Sequence, residues 1–311
     1  MSLITVGSLA FDTIQTLEGR AEKVLGGSMN YFSIAASLFH PVSIVGVVGE
    51  DFPKEHLLRL ENRNINTSGV EFKSGKTFHW EGSYEKSFNE AETLKTALNV
   101  FETFQPKLSQ EQRKCPVAFL ANIDPIIQLD LLKQLESTDF IACDTMNYWI
   151  HSKKPELLKV LAQVDLLSIN EAEAYLLTGE KQLRQAARVI QSYGPKALIL
   201  KRGEYGSAVF CNEEIFLVPA FPVEKVVDPT GAGDSFAGGL LGVLASHGVS
   251  RKDITETDGG KNFFRTLKKA ALTASALASF TVESFSFEKL ITASKRDVQE
   301  RQEALLKWIT A

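Results

Sequence analysis

The 311-residue sequence predicts an α/β fold: a doubly wound, mostly parallel sheet flanked by helices, with a small second β-sheet. Short, continuous runs of branched aliphatic residues alternate with amphipathic stretches along most of the chain. Such runs mark parallel strands covered on both faces, since a half-exposed strand alternates instead. Two stretches break that rhythm, one alternating and one reading as a hairpin, and together they predict the small sheet. Right-handed crossovers wind the helices onto both faces. Ligands in such a sheet bind where strand C-termini meet helix N-termini.

Leu3–Val6 reads as the first buried strand and ends in Gly7-Ser8. Ser28–Phe39 reads as a helix, Val42–Val48 as a second buried strand ending in Gly49, and Pro53–Asn62 as a helix. Further strands are predicted at Val117–Ala121, Phe140–Asp144, Leu166–Ile169 and Ala197–Lys201, with helices near 125–136, 155–163 and 182–193. Thr13–Val24 reads as a hairpin around Glu18-Gly19. From Thr77 to Tyr84, Phe78, Trp80 and Tyr84 share one parity while His79, Glu81 and Ser83 take the other, so one face of that strand is apolar. That aromatic stripe fits core packing of the small sheet, or a face turned to a ligand. A helix is predicted around 90–104. No repeat or low-complexity linker divides the chain, so 1–311 reads as a single unit.

The hydrophobic share of 44% supports a full core, and the net charge of -4 argues against a general nucleic-acid binder. Cys115, Cys143 and Cys211 are odd in number and form no C-x-x-C pair, so buried thiols are expected rather than a disulfide framework or a zinc ribbon. No apolar stretch reaches the ~18 residues of a spanning helix. With no basic leader before Leu3, a cytoplasmic protein without membrane partner is expected.

The segment Asp228-Pro-Thr230-Gly231-Ala232-Gly233-Asp234-Ser-Phe carries the chemistry. Its glycines permit backbone angles that side chains forbid and let a ligand approach the peptide closely. An apolar helix follows, from Ser235 to about Ser246. Helix-start amides and the positive end of the helix dipole form an anion site. An aspartate there would repel phosphate, and a general base acting on a hydroxyl that attacks a phosphoryl group gives it a reason. Asp234 as an ordinary helix N-cap fits the residue types equally well.

That segment resembles the signature of the ribokinase-like (PfkB) carbohydrate and nucleoside kinases. Three more stretches match the family in order and spacing: Gly26-Gly27-Ser-Met-Asn30, Asn170-Glu-Ala-Glu173 and Lys201-Arg-Gly203-Glu-Tyr-Gly206. The resemblance spans Gly7 to about Val282. It implies a ribokinase-like fold and transfer of the γ-phosphoryl group of ATP to a hydroxyl. Asp234 is then the base, and the amides of Gly231, Ala232 and Gly233 form the anion hole. It further implies that Asp12, Gly26, Gly27 and Asn30 hold the acceptor, and that Asn170, Lys201, Gly203, Gly206, Thr230 and Asn262 line the nucleotide. Glu173 would hold Mg2+ through water. Residues 12–25 and 70–113 would form a lid, in a monomer or a lid-mediated homodimer.

Alternatives stay open for single residues. Asp12 could be a turn or cap residue, Lys201 could reach phosphate or end a strand in solvent, and Asn262 could touch adenine or merely begin a helix. Many family members carry a glycine near the end of the last nucleotide loop, where this chain reads Val282-Glu-Ser-Phe285-Ser, so a monovalent-cation site is left open. His40, His56, His79, His151 and His247 are scattered, which disfavours a metalloenzyme; His79 could reach the acceptor from the lid, although surface exposure explains it. A P-loop, a dinucleotide fingerprint and a serine-hydrolase elbow are all absent. The acceptor is expected to be a sugar or sugar-like polyol, with a nucleoside as the alternative. A binding protein without turnover is the remote one.

Overall fold

The computed structural model describes residues 2–89, 91–255 and 258–309. Its strands are β1 (Leu3–Val6), β2 (Ala10–Thr16), β3 (Gly19–Gly26), β4 (Val42–Gly49), β5 (Ile65–Lys73), β6 (Phe78–Ser83), β7 (Glu92–Ala97), β8 (Val117–Leu120), β9 (Phe140–Asp144), β10 (Leu166–Asn170), β11 (Ala197–Lys201), β12 (Ser207–Cys211) and β13 (Glu214–Val218). Nine of them form one sheet in the order β13-β12-β11-β10-β9-β8-β1-β4-β5. Pairing is parallel from β5 to β11 and antiparallel through β12 and β13. The chain leaves β1 towards β4 on one side and later runs outward from β8 on the other. The switch point therefore lies between β1 and β8, with Gly7 and Ser8 at its mouth.

Both sheet faces are covered, as the unbroken aliphatic runs predict. Leu3, Ile44 and Phe119 belong to one core, while Ile4, Val6, Val45 and Leu120 belong to the core of the opposite face. Cys115, Cys143 and Cys211 are free and buried, as expected. No helix among the described residues is long and apolar enough to cross a membrane.

One packing contact sets the geometry of the site. The helix Ser28–Ser37 lies against the helix Ala232–Ser246 through glycine. A Cβ at Gly238 would sit 2.3 Å from the Phe32 carbonyl oxygen, and one at Gly242 would sit 2.8 Å from that of Ala36. Backbone meets backbone there, so the Asn30–Tyr31 end of one helix is held beside the Asp234 end of the other.

The small sheet runs β3-β2-β6-β7. β2 and β3 form the hairpin, with an irregularity between Asp12 and Ile14, and β2 pairs in parallel with β6. Thr16 Oγ1 donates to the Val227 carbonyl and Ser286 Oγ to that of Leu25, tying this sheet to the main body.

The structure corrects the helix predicted around 90–104. Glu92–Ala97 is the strand β7, paired antiparallel with β6, and Asn99–Thr103 is a 3-10 turn; residue 90 lies outside the described residues. The pairing partner β6 overrides weak helical periodicity, with the Trp80 indole N–H donating to Thr93 Oγ1 at 3.2 Å across it. The stretch after β7 turns back to the main body, where Val100, Phe104 and Leu108 are buried. Three strands went unassigned by periodicity. β5 is polar and interrupted by Gly69, while β12 and β13 form an antiparallel hairpin turned at Asn212, which takes φ 53.

Candidate active site

The helix that follows the glycine segment begins at Ala232, three residues before the sequence suggests, and Gly231 is its N-cap at φ 75. That left-handed angle favours glycine. A Cβ at Gly231 would also fall 2.3 Å from the Tyr31 ring. Asp234 is therefore the third helical residue, and the N-cap alternative for it falls. Ser235 N–H is the first to close a helical bond, onto Gly231. Amides ahead of it have no i−4 carbonyl and are free for an anion. Ala232 N–H is an exception, because it already donates to the Pro229 carbonyl at 3.2 Å.

Three carboxylates converge here: Asp12 from β2, Asp228 from the segment before the helix, and Asp234. Asp12 is buried and its Oδ2 accepts the Gly27 N–H at 3.3 Å. Burial pushes its carboxyl up to about 7; the Gly27 bond opposes this, and the charges of Asp228 and Asp234 add to it. Asp228 is fully buried, with Thr230 N–H donating to Oδ1 at 2.8 Å and Ser286 N–H to Oδ2 at 3.3 Å. Burial raises it to about 6 against those bonds. Ser286, at φ 57, adopts without glycine the left-handed angle in the Val282–Ser286 loop.

Two phenols that the sequence reading leaves unassigned close this pocket. Tyr31 is 1% exposed, and its hydroxyl has no hydrogen-bond partner among the described residues. Tyr84 follows the end of β6 and lies against Thr230. Burial holds both phenols well above their ordinary range, and Asp12, Asp228 and Asp234 push the same way. The only signal for Tyr84 is its place at the end of the alternating strand. Tyr31 directly follows Asn30, the last residue of the Gly26–Asn30 stretch.

A second cluster sits at the C-terminal ends of β9, β10 and β11. Lys201 Nζ donates to Asp144 Oδ2 at 2.7 Å, with side-chain exposures of 18% and 5%. Burial opposes charge on Lys201, but Asp144, Glu173 and Asp234 outweigh it and hold the ammonium above its usual range. Lys201 thus does not end its strand in solvent. A Cβ on Gly233 would lie 3.1 Å from its Nζ. Asn170 and Glu173 form a capping box: Asn170 Oδ1 accepts the Glu173 N–H at 2.7 Å, and Glu173 Oε2 accepts the Asn170 N–H at 3.0 Å. Burial drives Glu173 up to about 7, Lys201 pulls it back, and Asp144 raises it again. Asp234 is likewise raised to about 7, by burial first and then by Asp144, with Lys201 opposing. Asp144 was legible as a charge ending the apolar run Phe140–Cys143, yet no motif claims it.

Other candidates fall elsewhere. Gly203 (φ 56) and Gly206 (φ 83) turn the chain after β11, and Asn89 reaches that turn, its Oδ1 1.8 Å from where a Gly203 Cβ would stand. Asn262 is not brought to the site. It is exposed at the start of the helix Lys261–Thr281, where Phe263 meets Phe140, the first residue of β9. The end of this helix near the site is Thr281, whose Oγ1 donates to Ser235 Oγ, and a rise of ~1.5 Å per residue puts Asn262 about 28 Å away along the axis. Trp80 pairs in register with Asp12 and shares its face, whereas His79 bonds Thr13 Oγ1 at 2.9 Å on the other. Phe78 stacks on Phe101.

These carboxyls bind protons more tightly folded than unfolded, with Asp12, Asp234 and Glu173 raised to about 7 from 3.8, 3.8 and 4.5. In that window the native state holds more protons, so the contribution of this cluster is stabilising below about pH 4 and is lost as pH rises through about 7. The ligand-free thermal midpoint is expected to fall from about pH 5 to about pH 7.5, and Asp12→Asn to flatten that slope. Thermal melts at both pH values check it, and an identical slope in Asp12→Asn would contradict it.

Residues 2–289 match the model of the pfkB family carbohydrate kinase. A cytidine kinase of Thermococcus kodakarensis is 32% identical over 251 residues, 78% of this chain and 87% of that protein. Among solved structures, a Methanocaldococcus jannaschii nucleoside kinase described as an archaeal member of the ribokinase family superposes with a TM-score of 0.74 at 22% identity, covering 98% of this chain and 99% of that one. A putative ribokinase II from E. coli in complex with ATP and Mg2+ gives a TM-score of 0.73 at 18% identity, with 99% of each chain covered. The fold and the match along nearly the whole length agree: this chain belongs to the pfkB family of carbohydrate kinases and is a phosphotransferase acting on hydroxyl groups of sugars or nucleosides.

Proposed function

We propose that the protein transfers the γ-phosphoryl group of ATP to a hydroxyl of a neutral, sugar-bearing acceptor, with Asp234 as general base. The observation that carries this is a carboxylate in the first turn of a helix whose free amides and dipole favour an anion. A base in that place lies beside the phosphoryl group it serves. Raised to about 7, Asp234 is matched to taking a proton near neutral pH. In the proposed step the acceptor oxygen bonds to the γ-phosphorus, its proton passes to Asp234, and the bond from the γ-phosphorus to the bridging oxygen breaks to release ADP. Amides at the start of the helix steady the charge on the transferring group. Lys201, already within reach of Gly233, moves part of its charge from Asp144 to the phosphates.

The residues present fit a magnesium ion held through water. Among the described residues no group of three or more His, Cys, Asp or Glu could cage a metal, but Glu173 offers a carboxylate beside Lys201 and Asp144. Mg2+ commonly keeps several waters and binds one or two carboxylates plus substrate phosphates. When bound, it neutralises phosphate charge. Asp228, buried and without an ion pair among the described residues, keeps a monovalent cation in play as well.

Asp12, the Tyr31 and Thr230 hydroxyls and Tyr84 form the acceptor end, and the small sheet closes over it to exclude water. The unpartnered, buried Tyr31 hydroxyl calls for a polar ligand. Asp12 and Asp228, two carboxylates with no Arg or Lys among the groups that shift them, reject a phosphorylated acceptor. Between the sugar or sugar-like polyol expected from sequence and its nucleoside alternative, the nucleoside is the reading favoured, supported by the 32% identity to a cytidine kinase. Thermal-shift screening of cytidine, other nucleosides, ribose, fructose and a sugar phosphate with a non-hydrolysable ATP analogue tests the reading. Nucleosides should raise the midpoint most, and a sugar phosphate that outranks them would overturn it.

A further inference from the structure

We propose that His56 is a positioning residue for acceptor binding, fixing the Asn30 amide so that the Gly26-Gly27 turn presents its N–H to Asp12. The inference rests on the reading of Asp12 as an acceptor ligand. His56 lies on the helix Lys54–Glu61, outside every motif, and is 2% exposed.

The hydrogen-bond directions follow from elementary chemistry. Asn30 is fully buried, and its Nδ2 donates to the Gly26 carbonyl at 2.6 Å. A carbonyl only accepts, so the amide nitrogen must face Gly26 and Oδ1 must face away. Oδ1 lies 2.8 Å from His56 Nε2. Since Oδ1 only accepts, Nε2 carries the proton and Nδ1 the lone pair. Nδ1 has no partner among the described residues, in keeping with a neutral ring. Burial, helped by Arg59, lowers the imidazole to about 4, so it stays neutral at physiological pH.

The ring itself is clamped. It stacks on Phe287 with centroids 5.4 Å apart and meets Phe52 edge-on at 5.7 Å. Phe287 in turn packs on Tyr31. What the ring holds is a strained turn: Gly27 sits at φ 88, and a Cβ there would lie 2.5 Å from the Ser8 carbonyl. Its N–H reaches Asp12 Oδ2, and the same oxygen lies 1.8 Å from where a Gly26 Cβ would stand. Orientation therefore passes from His56 to Asn30, to the Gly26 carbonyl, to the Gly27 amide and to the Asp12 carboxylate. Released from His56, the Asn30 amide can flip and free the turn.

His56→Phe keeps the stack and removes the donor, while His56→Gln keeps a donor. We expect His56→Phe to raise the acceptor KM about tenfold, the equivalent of one lost hydrogen bond, with the ATP KM unchanged. His56→Gln should recover most of that loss. Nitrogen-15 NMR of the wild-type protein should show His56 as the neutral Nε2–H tautomer, unchanged from about pH 5.5 to about pH 8. An unchanged acceptor KM in His56→Phe, equal rises in both KM values, or a Gln variant no better than Phe would overturn the proposal. So would a charged or Nδ1–H ring. If His56→Phe does not fold, His56→Gln and the tautomer decide. The tautomer is read without turnover, so it separates failure here from failure of the kinase reading.

Discussion

Asp234→Asn is expected to lower kcat about a thousandfold, within the ~10²–10⁴ range a positioned general base contributes. Asparagine matches the shape of the carboxylate but cannot take the acceptor proton. ATP affinity should hold or improve, because a negative charge is removed beside the phosphates. Stability should rise as well: a carboxyl held up to about 7 pays to be ionised above that pH, and the amide does not. The expected pattern is a loss of kcat, an unchanged or lower nucleotide Kd by calorimetry, and a higher thermal midpoint at about pH 8. An N-cap or purely structural aspartate would show the opposite on the last count.

The second large effect concerns Lys201. Lys201→Met removes the partner of Asp144 and leaves a carboxylate only 5% exposed without its ammonium. Breaking such a pair costs about 3–5 kcal/mol, against near neutrality when both charges go. Lys201→Met combined with Asp144→Asn should therefore recover most of the stability, since asparagine still accepts the Thr145 N–H through the position of Asp144 Oδ1. Activity should not recover. With no cation near Gly233, kcat is expected to stay down about a hundredfold, the scale for losing one charge-stabilising donor. Urea unfolding and steady-state rates for both variants check this. A double variant as unstable as the single would show that Lys201 serves packing rather than charge.

What could be read in the sequence was what is local. The segment from Asp228 to Phe236 is contiguous, so its turn and helix follow from its own glycines, and only the helix start moved, from Ser235 to Ala232. The Asn170–Glu173 pair closes on itself as a capping box and needs no distant partner. Residues whose role depends on assembly were harder. Asp144, Tyr84 and Tyr31 lie far apart in sequence and come to Asp234 only through sheet order and the Gly238–Phe32 contact. Asn262 shows the converse: a helix assigned correctly still has two ends, and sequence does not say which faces the site. The 90–104 helix failed because β6 supplied a pairing partner that no local window contains. His56 carried no signal except being a histidine next to an apolar helix face.

Phosphorus NMR of the protein with ATP, Mg2+ and the best acceptor from the thermal screen tests the central claim most directly. The γ-phosphate resonance should be replaced one for one by a phosphomonoester on the acceptor, with ADP in equal amount, and Asp234→Asn should form almost none while still binding the nucleotide. Ester formed by Asp234→Asn at a rate near that of the wild-type protein would contradict the account, and so would release of inorganic phosphate in place of the ester.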